Sequence, residues 1–117
     1  MQFLLLIYSN EQEDSKRSDS DNQAYMAAYN DFTQGIIQAG QFKAGDALLP
    51  TSAARTVRVR EGKATTTDGP FAETREQLGG YYLVEAKDID EAAAIAAKIP
   101  TAKHGSIEVR PVMVWDN

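Results

Sequence analysis

A length of 117 residues fits one domain, residues 1–117, since single cores run to about 100–200 residues. Hydrophobic residues at 43% and charged residues at 25% are ordinary globular proportions and exclude disorder throughout. A net charge of −5 argues against a nucleic-acid partner; the lack of cysteine excludes disulfides and thiolate chemistry and makes the cytoplasm the expected location.

In chain order, residues 2–8 are apolar on both faces and read as a central strand. That run is far too short for a membrane helix, and no basic segment precedes it, so no membrane association is expected. Residues 9–19 are polar throughout and read as a mobile excursion. A helix is expected from Ser20, which has capping-box spacing to Gln23. Tyr25, Tyr29, Phe32 and Ile36 give it an apolar stripe, and Gly40 stops it. A strand follows at 42–49, then a turn at Pro50. Residues 56–60 and 63–67 flank Glu61-Gly62 as a half-solvated hairpin, with Val57 and Val59 on one face and Arg58 and Arg60 on the other. Residues 79–86 form another strand. Asp88 and Glu91 cap a second helix whose alanines let it lie close on a sheet, until Pro100 ends it. Residues 106–115 are the last strand, and Pro111 marks an edge or a bulge.

With the hairpin set aside, the order of elements is the split βαβ pattern of ferredoxin-like α+β domains. Two helices cover one face of such a sheet. The other face needs a cover, and a second copy of the chain is the expected one, giving a homodimer. Charge is uneven along the chain: residues 1–22 carry a net −3 and residues 43–63 a net +3. Both read as solvated faces.

The common catalytic fingerprints are absent, including glycine-rich phosphate loops and the G-x-S-x-G elbow. One histidine without cysteine makes no nitrogen–sulfur metal site in one chain, and neither metal nor cofactor is expected. His104 is the one imidazole, so acid–base chemistry near neutrality begins there; the competing reading is a hydrogen-bonded loop histidine. Asp68 opens the tight turn Asp68-Gly69-Pro70-Phe71, with Phe71 expected to anchor it. Asp46 is a carboxylate at an apolar strand end and needs solvent or a partner. Tyr81 and Tyr82 point to opposite faces; one hydroxyl in a cavity is the functional reading, and two core or interface aromatics the competing one. Glu108 and Arg110 share one strand face as a surface or interface pair.

The block Asp68-Gly69-Pro70-Phe71-Ala72-Glu73-Thr74, followed by Glu76-Gln77-Leu78-Gly79-Gly80-Tyr81, resembles the signature of the DGPF branch of the YCII-related proteins. The segments 3–8, 45–50 and 104–111 fit it too. The resemblance implies a dimeric α+β barrel, two ferredoxin-like sheets packed face to face. It also implies a His–Asp dyad for the wider group, one branch of which dehydrochlorinates a chlorinated hydroxyquinol. In that branch the histidine lies near the start of the first helix, where this chain reads Asp21-Asn22-Gln23-Ala24-Tyr25. DGPF proteins tend to be encoded beside extracytoplasmic-function sigma factors, which implies a regulatory alternative.

Two functions follow. One is a small-molecule enzyme with His104 as general acid or base, oriented by Asp68 or Asp46, for a lyase, isomerase or hydrolytic step; Tyr81, Arg110 and Glu73 are its ligand-contact candidates. The other is a non-catalytic small-molecule-binding or regulatory module.

Overall fold

The computed structural model describes residues 1–115. Its elements in chain order are β1 (Gln2–Ser9), α1 (Glu11–Asp14), α2 (Asp19–Gln38), β2 (Phe42–Ala47), β3 (Arg55–Arg60), β4 (Lys63–Asp68), β5 (Gln77–Glu85), α3 (Ile89–Ala96) and β6 (Ser106–Pro111). Short 3-10 turns occupy Thr51–Ala53 and Pro100–Lys103. Four strands pair in the order β2-β5-β1-β6, every ladder antiparallel. The fold is a mixed α+β domain.

Strand alternation decides which side chains meet the helices. Phe3, Leu5 and Ile7 of β1 and Tyr82 and Val84 of β5 are buried on one face, where Ile36 of α2 and Ala92, Ile95 and Ala96 of α3 join them in the core. Leu4, Leu6, Tyr81 and Leu83 alternate with these residues and are only half-buried. No membrane-length apolar helix occurs among the described residues.

Several expectations need correction. Residues 9–19 contain α1 and the start of α2, and they are held by polar contacts in place of apolar ones. Asn10 caps α1 by accepting from the Glu13 amide at 2.9 Å and donates to the Arg75 carbonyl at 3.0 Å. The Glu11 amide donates to Gln77 at 2.9 Å, while its carboxylate accepts from the amide and hydroxyl of Thr51, both at 2.8 Å. The cap of α2 is Ser18, which accepts from the Asp21 amide at 3.1 Å, so the helix begins ahead of Ser20. β2 ends at Ala47, α3 at Ala96 and β6 at Pro111, each short of the sequence-based boundary. The hairpin is exposed on both faces, with Val57 at 61% and Val59 at 59%. Its turn places Glu61 at φ 52° and Gly62 at φ 76°, the left-handed pair that a two-residue hairpin turn uses. Phe71 is 79% exposed and anchors nothing within its own chain.

Candidate functional site

A cleft of about 640 Å³ opens between α2 and the sheet, within the size range of small-molecule sites. Ile7 and Tyr82 supply sheet side chains, Met26 and Tyr29 supply helix side chains, and Leu48 extends the apolar wall. Gly45 makes room for this arrangement, because a Cβ there would lie 2.8 Å from the Tyr82 ring.

Buried tyrosine hydroxyls need partners, and this cleft supplies threonines. Tyr82 meets Thr33 at 2.6 Å. Tyr29 meets the Thr101 hydroxyl at 2.5 Å, and Tyr25 meets the same oxygen. Among the described residues, Thr101 is the one buried polar side chain, 3% exposed. Burial pushes the Tyr29 hydroxyl well above the ordinary tyrosine range, with the Thr101 bond opposing it. Tyr29 therefore stays a neutral donor at physiological pH.

The 3-10 turn that carries Thr101 also delivers the imidazole. The amides of His104 and Gly105 both donate to the Thr101 carbonyl, at 3.1 and 2.7 Å. His104 Nε2 then lies 3.7 Å from Asp14 Oδ1. Asp14 lines the cleft and is held from two sides: Ser9 donates to it at 2.5 Å and Arg17 at 3.1 Å. The Arg17 guanidinium lies 4.0 Å over the Tyr25 ring, a cation–π contact, and that ring is 5.8 Å from the imidazole. On the other face of the sheet, Tyr81 of β5 donates to Asp46 of the adjacent β2 at 2.6 Å. This bond holds the Tyr81 proton and raises the hydroxyl above its usual range.

A model of the YCII-related domain matches residues 1–116. A protein of Rhizobium meliloti (strain 1021), itself described as uncharacterised, is 35% identical over 117 residues, covering 98% of this chain and 94% of its own length. This chain belongs to the YCII-related family.

The YCII-related chain does not join His104 to either carboxylate expected from its sequence. Asp68 faces Arg55 across the β3–β4 ladder at 3.4 Å, with its side chain 90% exposed. Asp46 binds Tyr81. These two were expected in one site and do share a bond, but the carboxylate beside the imidazole is Asp14. Glu73 is exposed in the loop after β4. Arg110 pairs with Glu108 at 3.0 Å on β6, as expected of a pair two residues apart on one strand face. Asp14, Arg17 and Thr101 are the residues that sequence reasoning missed. Signals existed for two of them. Asn10 and Glu13 have N-cap spacing, which would have turned the supposed excursion into a helical turn bearing Asp14. Tyr25 and Tyr29 on a core-facing stripe demand hydroxyl partners such as Thr101. No group of three potential metal ligands occurs among the described residues.

Proposed function

We propose that this YCII-related chain is a small-molecule enzyme of the DGPF branch in which His104 acts as general acid or base and Asp14 orients the imidazole. The carrying observation is that the chain's only imidazole stands 3.7 Å from a cleft-lining carboxylate that Ser9 and Arg17 hold in place. A ligand with an apolar body fits the cleft wall, and its reacting polar end would lie at Asp14, with His104 beside that carboxylate and outside the cleft lining. One positioned proton-transfer group contributes about 10²–10⁴-fold, which suits a lyase, isomerase or hydrolytic step.

The same reading takes the domain as the ferredoxin-like half of a homodimeric α+β barrel. The strand order β2-β5-β1-β6 supports it. So does the accessible surface of 8476 Å², since a compact monomer of this mass exposes about 6,300 Å². The excess is about 2,000 Å² per chain, or about 4,000 Å² for a pair, within the range that obligate interfaces bury.

The test is a thermal-shift screen of small hydroxy, carbonyl and carboxylate compounds, followed by turnover assays on the hits. Turnover should fall at least a hundredfold in His104→Gln and clearly in Asp14→Asn, with binding retained. Hits that bind without turnover would instead support a second reading, a non-catalytic binding or regulatory module, of the kind implied by the sigma-factor association. That reading is favoured by the exposure of the His104 side chain, 42%, and by the solvent-facing hairpin.

A further inference from the structure

We infer that the β3–β4 hairpin is an arm that crosses to a second copy of this chain and lays its valine face on it. The inference rests on the homodimer proposed above and adds which element makes the contact.

The two strands pair only with each other. Val57 and Val59 share one face, opposite Thr66 and Ala64 of β4, while Arg58 and Arg60 occupy the other. An isolated two-stranded ribbon is marginal in water, so a hairpin with exposed valines and no helix over it needs cover from outside its own chain. The arm also projects. The radius of gyration is 16.3 Å, where a compact chain of this length has about 13 Å.

Charge selects the occupant. Residues 55–68 hold four basic and two acidic side chains, leaving eight basic against fifteen acidic in the rest of the chain. A second copy therefore presents the opposite sign to the arm. The open sheet faces already meet in the proposed dimer, so the arm lies on the partner beside them, and a two-fold exchange covers the valine faces of both copies at once. Nucleic acid would meet the arginines and leave the valines uncovered.

Because the chain has no cysteine, a single thiol reports each face of the arm. V57C and R58C are made in the full chain, and their reaction with a disulfide reagent is followed at concentrations above and below self-association, with mass read by light scattering. In the dimer the thiol at position 57 should react at least tenfold more slowly than that at 58, and dilution to monomer should abolish the difference. V59C repeats the measurement should V57C fail to fold. A dimer in which both thiols react equally overturns the arm contact and leaves the dimer standing. A monomeric parent overturns both. Protection that persists in the monomer means the arm is covered by its own chain, and protection appearing only with a short DNA duplex assigns the arm to nucleic acid; either result overturns the inference.

Discussion

Thr101 receives Tyr25 and Tyr29 on one hydroxyl while its carbonyl accepts the amides of His104 and Gly105. Thr101→Val keeps the shape but takes the partner from two half-buried tyrosine hydroxyls, and a lost hydrogen bond costs about 0.5–1.5 kcal/mol. The urea midpoint should fall by an equivalent amount with the slope unchanged; a loss below about 0.5 kcal/mol would mean the tyrosines find other partners. Tyr29 gives the fold an alkaline limit. Its hydroxyl is raised in the folded state, so the native chain keeps a proton that the unfolded chain releases. The associated stability is intact below the ordinary tyrosine value near 10 and declines as pH rises past it. Tyr29→Phe should flatten that decline in denaturant titrations between pH 9 and 11. Gly105 explains why glycine follows the imidazole: a Cβ there would run into the Tyr8 carbonyl and sit 2.9 Å from the Thr101 methyl. Of this neighbourhood the sequence disclosed His104, as the only imidazole, but not its carboxylate. Asp14 comes from the opposite end of the chain, and the pairing exists only once β6 lies beside β1.

At the scale of elements, the helices and strands with periodic apolar residues were legible because burial itself imposes that period. Of the stripe Tyr25, Tyr29, Phe32 and Ile36, the last three pack in or against the core as their spacing required, while Tyr25 reaches the Thr101 hydroxyl. What failed to show was α1, whose anchors are hydrogen bonds to Arg75, Gln77 and Thr51, contacts that leave no hydrophobic pattern behind. Element ends were misjudged for a related reason. Leu48, Leu49, Val112, Met113, Val114 and Trp115 carry strand-like composition, yet all are exposed beyond the last ladder pairs. Glu11 gives α1 a direct check. Glu11→Ala removes two bonds to Thr51, each worth about 1 kcal/mol or somewhat more with a charged acceptor. Hydrogen exchange at the Thr51 amide should accelerate at least tenfold, with little change at Leu5 in the central strand. Unchanged exchange at Thr51 would mean the 3-10 turn holds itself and α1 is no more than a neighbour.

For the whole molecule, the deciding quantity is apolar surface left over. The chain spans 49 × 48 × 18 Å, a sheet with helices on one face, and the strand pattern puts Leu4, Leu6 and Leu83 on the side opposite the core. If the chain worked alone, Leu6→Glu would be a half-exposed surface change, worth within about 0.5 kcal/mol, and melting would not depend on concentration. If two sheets pack face to face, the same carboxylate must enter an apolar interface without a partner, which costs several kcal/mol or drives the copies apart. Dimer melting follows mass action, so the parent Tm should climb as the chain is concentrated from micromolar to hundreds of micromolar. Leu6→Glu should abolish that climb and give a monomeric mass by light scattering, with far-UV circular dichroism unchanged. A parent Tm flat across that range, matched by a Leu6→Glu variant of the same Tm, would show that the open face stands in water and that the excess surface has some other occupant.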